Sequence, residues 1–369
     1  MTAALWRRLD HLQPALVGML AALGLMTVYS AHADWRRQML WLILGAGAYA
    51  AAASFDYRRL KPIALGLYAG MILLLLAVHF AGHTALGARR WLSVAGFPLE
   101  PSELSKLLLV IVLASYLTRS DRLSWRAFGG SLLLVAPPAC LVLTQPDLGT
   151  TIVFIGLLFG MLFLAGASAW QLFSLVFAGA VSLPLLPYLL HGYQRRRLEI
   201  FLDPSQDPLG AGYNLVQARI AVGSGGLFGQ GWLHGLQGQL GFVPERATDF
   251  VFAIFAEEFG LLGSLVLLAL FGTLLVRLLR TAAVAPDRFG ELLAGGVFVM
   301  VLLQVVQNVG MNIGVLPIAG IPLPLISYGG SATISVLAAL GLCQSVAMRR
   351  RTVDGPVAEL GTITRRAQA

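Results

Sequence analysis

The residues best suited to chemistry are carboxylates and arginines that stand beside strongly apolar stretches. In GFVPERATDFVFAIFAEEFG, residues 241–260, the charges of Glu245, Arg246 and Asp249 are followed at once by an apolar run. Asp249 can act as a general base toward a hydroxyl group, and partial desolvation should raise its pKa while Arg246 opposes that rise. It can equally cap the helix that follows. The local sequence leaves both interpretations open.

A second charged motif is GARRWLSVAGFPLEPSELSK, residues 87–106. Glu103 and Lys106 open an apolar stretch and share one helix face, so each can neutralise the other. Ionisable groups in apolar membrane segments are costly and are usually functional or paired. The two residues are therefore a structural ion pair, a phosphate-binding lysine with its partner, or both.

Composition places the chain among integral membrane proteins. Its 369 residues are 57% hydrophobic and 12% charged, whereas about a quarter of the residues in a soluble domain are charged. Crossing roughly 30 Å of hydrocarbon takes about 20 apolar residues. Ten stretches of this kind run over Pro14–Ala31, Trp35–Ser54, Pro62–Ala81, Glu103–Leu117, Phe128–Leu143, Leu148–Ala165, Trp170–Leu190, Phe250–Leu275, Gly290–Asn308 and Ile334–Ala347. We predict an all-α, polytopic membrane protein with about ten transmembrane helices.

Basic residues predict the orientation, because short cytoplasmic loops collect Lys and Arg. Most of the 26 basic residues fall inside when both termini are cytoplasmic. Residues 1–348 then form a single integral membrane domain, and residues 349–369 form a cytoplasmic tail of disordered character. The net charge of +8 is explained by this topology, so nucleic-acid binding has no support.

Some arginines fall outside against this rule, chiefly Arg89 and the run from Arg195 to Arg197. Guanidinium groups suit phosphate oxygens, and a pyrophosphate carried by a lipid would arrive at this depth. Binding to anionic lipid headgroups would explain the same positions. Both kinds of ligand stay open at this point.

Two further stretches depart from the pattern of simple spans. Residues 191–248 form a large extracellular loop between the seventh and eighth helices, and a loop of that length is usually functional. MNIGVLPIAGIPLPLISYGGS, residues 311–331, is apolar but carries Pro317, Pro322 and Pro324. Broken backbone at membrane depth is tolerated only inside protein or beside a wet cavity. We predict a non-helical, cavity-lining segment here, with a badly interrupted ordinary helix as the alternative.

These motifs, taken in order, resemble a known family. GARRWL with PSELSK, QPDLGT, DPLGAGYN with QARIAVGSGGLFGQGW, VPERATDFVFAIFAEE and GIPLPLISYGGS are similar to motifs of the SEDS family of bacterial cell-shape, division and sporulation proteins. The resemblance covers nearly the whole chain, implies the SEDS fold and is closer to the elongation members. One departure is Ala247, where the family commonly has histidine.

The resemblance implies a peptidoglycan glycosyltransferase that polymerises lipid II at the outer face of the bacterial cytoplasmic membrane. The glycan linked to undecaprenyl pyrophosphate would be the donor, and the 4-hydroxyl of the incoming disaccharide would attack with inversion to a β-1,4 bond. The essential aspartate of the family corresponds to Asp249, which favours the catalytic interpretation. The candidate substrate-binding residues are Arg89, Glu103, Lys106, Arg197, Glu245 and Ser327.

The resemblance also implies a class B penicillin-binding protein as partner, a transpeptidase that crosslinks the new strand. No cofactor is certain, although Asp249 with Glu245 could help to hold Mg²⁺ or Mn²⁺ beside a pyrophosphate. The competing class is a lipid II flippase, but transporters often carry internal repeats, and none is visible. A scaffold that only recruits the transpeptidase would leave Asp249 and Lys106 without a task.

Overall fold

The computed structural model describes residues 9–85, 88–94, 97–119, 123–182, 192–207 and 210–349, which are mainly helical. The helices are α1 (Leu12–Ser30), α2 (Trp35–Ser54), α3 (Leu60–Ala81), α4 (Pro101–Leu117), α5 (Trp125–Thr144), α6 (Leu148–Leu164), α7 (Ala169–Ser182), α8 (Gly192–Leu202), α9 (Ala211–Ser224), α10 (Leu236–Gln239), α11 (Val251–Ala283), α12 (Arg288–Asn312) and α13 (Gly330–Met348). Single 3₁₀ turns occur at Tyr57–Arg59 and Pro204–Gln206. A small antiparallel sheet of β1 (His83–Ala85), β2 (Ala88–Val94) and β3 (Phe97–Leu99) joins α3 to α4.

Each predicted span contains a helix, namely α1 to α7 and α11 to α13 in chain order. Among the described residues, 6 helices are long and apolar enough to cross a membrane by length and composition, and α6 and α7 are shorter apolar helices. The helical membrane class is therefore confirmed, with the small sheet as an unpredicted addition. The count of ten spans stays a prediction.

Some predictions fall outside the described ranges. They concern the tail beyond Arg349 and the end of the seventh span beyond Ser182. The division into one membrane domain and a tail therefore stays a prediction.

Local sequence determines where several helices begin. Asp34, Ser124, Asp147 and Asp287 each accept a hydrogen bond from a backbone N–H in the first turn of α2, α5, α6 and α12. Each side chain satisfies a donor that the helix cannot satisfy itself. Pro101 begins α4, where its missing N–H is not needed.

The centre of the bundle is formed by α12 and α13, with α4 packed against both. The most apolar stretches of α12 and α13 are 72% and 78% buried, whereas those of α3 and α5 are 22% and 28% buried. The outer helices expose large apolar side chains such as Leu65 and Leu133, as expected of surfaces that face lipid. Close packing at the centre uses small residues, since a Cβ at Gly341 would lie 2.4 Å from the carbonyl oxygen of Tyr49.

The predicted loop of residues 191–248 is folded in its described part, because it contains α8, α9 and α10. Its glycine-rich part meets α11 at Gly260, where φ is 67° and the helix is interrupted. The backbone N–H of Leu261 donates to the carbonyl oxygen of Gly226 at 2.9 Å. The loop thereby supplies an acceptor for a backbone N–H that the interruption of the helix would otherwise leave without a partner.

The segment between α12 and α13, residues 313–329, is not helical. It carries the buried side chains of Ile318, Ile321 and Leu325. It packs closely on α1, since a Cβ at Gly24 would lie 2.2 Å from the carbonyl oxygen of Leu325. The predicted break is confirmed, and the interrupted-helix alternative is wrong.

We predict that Gly260→Ala destabilises the protein strongly. The new Cβ would lie 2.3 Å from the backbone nitrogen of Gly229, and the positive φ alone costs an L-residue about 1–3 kcal/mol. The thermal unfolding midpoint in detergent should fall well below that of Gly272→Ala. The control lies on the same helix, and its Cβ would meet nothing within 4 Å. Equal midpoints for the two variants would contradict the prediction.

Candidate active site

Several predicted site residues meet at a cavity of about 500 Å³. Its walls come from α2, from β2 and the residues after it, from α8, from the loop before α11 and from the segment 313–329. The charged residues that line it are Arg37, Arg90, Glu100, Arg197, Glu245 and Asp249. A volume of this size is typical of small-molecule sites, which span about 300 to 1,000 Å³.

Asp249 lines the cavity from the loop before α11. Its carbonyl oxygen accepts hydrogen bonds from the side-chain amides of Asn308 and Asn312, each at 3.0 Å. The helix begins after Phe250 and has no side-chain cap, so the helix-cap interpretation of Asp249 is wrong. Two amides of α12 thus hold the backbone of Asp249, and the residue lines the cavity.

Two arginines approach the Asp249 carboxylate beside Gly320. A Cβ placed at Gly320 would lie 3.4 Å from Arg197 Nη1, 3.5 Å from Asp249 Oδ2 and 3.9 Å from Arg90 Nη1. The φ of Gly320 is 69°, a conformation that glycine adopts without strain. Three charged groups therefore lie around one point of the cavity, beside Gly320.

The surroundings of Asp249 suit a base that works near neutral pH. Desolvation by burial raises the pKa of Asp249 to about 6, Arg197 and Arg90 oppose this rise, and Glu245 adds to it. A general base is most effective when its pKa lies near the working pH. The geometry and the pKa therefore favour proton transfer at this position.

Arg246 is close to Asp249 in sequence but is turned away from it. Its guanidinium group donates to the carbonyl oxygens of Ala31 at 2.8 Å and Gly238 at 2.5 Å. The expectation that Arg246 opposes the rise in the pKa of Asp249 is therefore wrong. The arginines that oppose the rise are Arg197 and Arg90. Arg246 instead ties the loop before α11 to the end of α1.

The predicted run of arginines on α8 is divided by the fold. Arg197 lines the cavity. Arg195 pairs with Glu199 at 2.8 Å and Arg196 pairs with Asp207 at 3.4 Å, and both arginines are exposed. The general attraction of the run for an anion stays a prediction, and only Arg197 of the three is placed to contact a ligand in the cavity.

For the arginine pair in β2, the structure describes the side chain of Arg90, whereas that of the predicted Arg89 lies outside the described residues. Arg90 is buried, donates to the carbonyl oxygens of Gln145 and Pro146, and pairs with Asp147 at 3.8 Å. It therefore joins the cavity to the QPDLGT motif. Arg90 was not predicted as a site residue because the short strand that orients it was not predicted.

The predicted ion pair of Glu103 and Lys106 is present, with 2.7 Å between Oε1 and Nζ. The side chains are only 4% and 1% exposed, and neither lines the cavity. Two buried charges are tolerated when they are paired. The structural interpretation is supported, and substrate binding by either residue stays a prediction.

Glu245 and Ser327 differ in their relation to the cavity. Glu245 lines it, and its carboxylate accepts a hydrogen bond from Thr248 Oγ1 at 3.2 Å. Ser327 is buried, donates to the Thr248 carbonyl oxygen at 2.6 Å and accepts from the Leu323 N–H at 2.8 Å. Ser327 thus supports the loop that carries Asp249, and its contact with substrate stays a prediction.

Two asparagines of α12 were not predicted as functional residues. Asn308 Nδ2 donates to the carbonyl oxygens of Asp249 at 3.0 Å and Ile321 at 2.8 Å. Asn312 Oδ1 accepts from the Ala253 N–H at 3.0 Å. Both are fully buried. Their spacing of four residues places two amides on one face of an apolar helix, and that is the signal that could have revealed them.

The helical bundle, the broken segment and the cavity of an acid with arginines define a membrane protein with an enzyme-like site. The family model described as "Cell cycle protein", which covers FtsW, RodA and SpoVE, matches residues 10–352. The chain therefore belongs to this family, which is the SEDS family that its motifs resemble.

Individual relatives and solved structures support the same family assignment. Peptidoglycan glycosyltransferase MrdB of Escherichia coli (strain K12) is 42% identical over 361 residues, which cover 94% of this chain and 96% of that protein. A solved chain described under "Structural coordination of polymerization and crosslinking by a peptidoglycan synthase complex" has a TM-score of 0.81 and 35% identity, with 92% of this chain and 97% of that chain covered. The rod shape determining protein RodA of Thermus thermophilus has a TM-score of 0.71 and 32% identity, with 93% and 98% covered.

We predict that Asn308→Ala lowers both stability and turnover. The change leaves the carbonyl group of Ile321 without this donor, while that of Asp249 keeps only the bond from Asn312, and a buried unsatisfied group costs about 1–3 kcal/mol. A small displacement of a catalytic group can cost about 10²-fold in rate. Val306→Ala is the matched control, because Val306 lies on the same helix and is 51% exposed. An Asn308→Ala protein with the stability and rate of the control would refute the positioning role.

Proposed function

We propose that this protein is a peptidoglycan glycosyltransferase that polymerises lipid II into β-1,4-linked glycan strands during cell elongation. The observation that carries the proposal is Asp249, a carboxylate with a raised pKa that shares a cavity wall with Arg197 and Arg90. The 42% identity to the peptidoglycan glycosyltransferase MrdB of Escherichia coli supports it.

In this reaction the 4-hydroxyl of the acceptor disaccharide attacks the anomeric carbon of the donor glycan. Asp249 accepts the hydroxyl proton as the new carbon–oxygen bond forms. The bond from the anomeric carbon to the pyrophosphate breaks, and its electron pair leaves on the phosphate oxygen. Attack from the face opposite the leaving group inverts the anomeric centre and yields the β linkage.

The arginines of the cavity stabilise the leaving pyrophosphate. Arg197 and Arg90 lie beside the Asp249 carboxylate at Gly320, and guanidinium groups bind phosphate oxygens through charge-assisted hydrogen bonds. Arg90 is already held by the carbonyl oxygen of Gln145 and by other groups of the QPDLGT motif. Charges fixed before the reaction need no reorganisation during it, and such preorganisation is often the largest catalytic contribution.

Asp249 and Glu245 are the residues that would hold a divalent cation such as Mg²⁺ or Mn²⁺. Within the described ranges, no group of at least 3 His, Cys, Asp or Glu side chains is arranged to hold a metal. Mg²⁺ is commonly bound by one or two carboxylates together with substrate phosphates, and two carboxylates on one cavity fit that pattern. A cation bound there would supply positive charge to the leaving pyrophosphate.

A lipid II flippase is the alternative from another class of protein. Transport would use a cavity lined by arginines, but it does not require a base with a pKa near 6 beside them. A scaffold would require neither the base nor the arginines. Polymer formation by the purified protein from lipid II separates the three functions directly.

We also propose that the cavity faces the outside and that the partner is a class B penicillin-binding protein. The related solved chain described above comes from a peptidoglycan synthase complex that coordinates polymerization and crosslinking. A strand made by this protein would be the substrate for such crosslinking. The excess of Lys and Arg in the short loops supports cytoplasmic termini.

Cysteine labelling tests this orientation. Cys140 and Cys343 are first replaced by serine, and Ser205→Cys or Ala283→Cys is then added at exposed positions. A membrane-impermeant thiol reagent applied to spheroplasts should modify the cysteine at position 205 and spare the one at position 283 until the membrane is permeabilised. The reverse pattern would overturn the proposed topology.

We predict that Asp249→Asn abolishes polymerisation while the protein stays folded and binds lipid II. The amide keeps the shape of the side chain but cannot accept the proton, and general-base assistance is typically worth about 10² to 10⁴ in rate. Glu199→Gln is the control, because it makes the same chemical change on an exposed part of α8. Near-normal polymer formation by Asp249→Asn would return Asp249 to a structural role.

The same hypothesis predicts the acid side of the pH profile. The base is active when it is ionised, so the rate of the unsubstituted protein should fall as the pH drops through about 6, the pKa of Asp249. A rate that is constant between pH 7 and pH 5, measured on purified lipid II, would exclude this assignment.

A further inference from the structure

Glu100 is a carboxyl group of the cavity that the proposed mechanism does not use. It immediately precedes α4 and lines the same cavity as Asp249. Its backbone N–H donates to Ser331 Oγ at 2.9 Å, and its carboxyl group accepts a hydrogen bond from Ser102 Oγ at 3.2 Å. The position of Glu100 is therefore fixed by one contact with α13 and one with the first turn of α4.

The charges around Glu100 are already paired with one another. Glu103, Asp147, Arg90 and Lys106 are the charged groups that act on it. Lys106 pairs with Glu103 at 2.7 Å, and Arg90 pairs with Asp147 at 3.8 Å. No ion pair joins Glu100 to a basic side chain in the part of the chain that the structure describes. An ionised Glu100 would give this group of five residues a net negative charge.

A protonated Glu100 avoids that charge. Desolvation by burial, followed by the charges of Glu103 and Asp147, raises the pKa of Glu100 to about 8 against the opposing effects of Arg90 and Lys106. This shift favours the protonated form of the acid near neutral pH. A protonated carboxyl group carries an O–H that can donate a hydrogen bond, and a neutral acid needs no counterion.

We propose that Glu100 acts as a neutral hydrogen-bond donor that binds a phosphate oxygen of the lipid-linked pyrophosphate. The inference rests on the proposed function and adds a substrate-binding residue to it. With Glu100 neutral, the three arginines that line the cavity are balanced by Asp249, Glu245 and Asp147, which pairs with Arg90, so no net negative charge opposes an anionic ligand. Ionisation of Glu100 would add an unbalanced negative charge and repel the phosphate.

The proposed bond also favours the reaction itself. A hydrogen bond from a neutral donor to a charged phosphate oxygen is stronger than one between neutral groups. The leaving pyrophosphate gains charge as its bond to the sugar breaks, so the bond from Glu100 strengthens toward the transition state. Only interactions that strengthen in this way accelerate the chemical step.

Two substitutions distinguish a role of Glu100 as a hydrogen-bond donor from a role as an ionised carboxylate. Glu100→Gln keeps a hydrogen-bond donor that does not titrate, and it should retain polymerisation at pH 7. Glu100→Ala removes the donor, and it should weaken binding of undecaprenyl pyrophosphate by about 10- to 100-fold, the range expected for a hydrogen bond to a charged group. Glu199→Ala is the control, because it removes an exposed carboxyl group of α8 that does not line the cavity.

The pH dependence gives the sharpest test. Affinity of the unsubstituted protein for undecaprenyl pyrophosphate should fall as the pH rises through about 8, where Glu100 loses its proton, and Glu100→Gln should not show this loss. A Glu100→Gln protein that loses affinity above pH 8 like the unsubstituted protein overturns the proposal. So does one that binds as poorly at pH 7 as Glu100→Ala, because the carboxylate itself would then be required.

The binding measurement keeps this inference separate from the proposed function. It uses undecaprenyl pyrophosphate, which carries no sugar and cannot be polymerised, so polymer formation does not enter the result. Failure of the unsubstituted protein to polymerise lipid II would count against the proposed function alone. The Glu100→Gln comparison between pH 7 and pH 9 decides the role of Glu100 even if Glu100→Ala does not fold.

Discussion

The two hydrogen bonds from the Asn308 amide to the carbonyl oxygens of Asp249 and Ile321 are the interaction on which the cavity depends. The chain leaves helical geometry both before α11 and after α12, and inside an apolar bundle each freed carbonyl group needs a donor. One buried amide donates to both non-helical segments, so the loop that carries Asp249 and the cavity-lining segment are fixed relative to each other. The bond from the Tyr328 N–H to the Ala247 carbonyl oxygen, at 2.8 Å, joins the same two pieces. This bond uses backbone atoms only, so alanine at position 247 forms it as well as the histidine that is common in the family.

The same requirement for partners separates the charged motifs into two groups. Asp249, Glu100 and the arginines face the cavity. Two adjacent acids of α11, Glu257 and Glu258, instead hold the loop of residues 191–248. Glu257 accepts hydrogen bonds from backbone N–H groups at the start of α10, and Glu258 accepts one from the Leu233 N–H at 3.1 Å. These carboxylates hold the loop against α11 through its backbone N–H groups. A charged motif in an apolar helix is therefore not by itself a sign of catalysis.

The parts of this structure that were predictable are those that depend on local spacing. The helices follow from apolar length, and the Glu103–Lys106 pair follows from residues three apart on one helix face. The orientations of Arg90 and Arg246 depend on carbonyl groups 55 and 215 residues away along the chain, and no local pattern contains that information. The exclusion of the helix-cap interpretation for Asp249 likewise needed the observed start of α11 at Val251.

The break between α12 and α13 lies beside Asp249, whose pKa is raised although two arginines are near it. A continuous helix would keep its backbone in the regular hydrogen-bond ladder and would exclude the left-handed conformation of Gly320, the residue beside which Arg197 and Arg90 approach the carboxylate. Proximity of guanidinium groups alone would lower the pKa of Asp249. Desolvation is the larger effect and reverses the sign. Burial therefore outweighs the arginines in setting the pKa of Asp249, and in the proposed mechanism the same arginines stay close enough to stabilise the negative charge of a leaving phosphate.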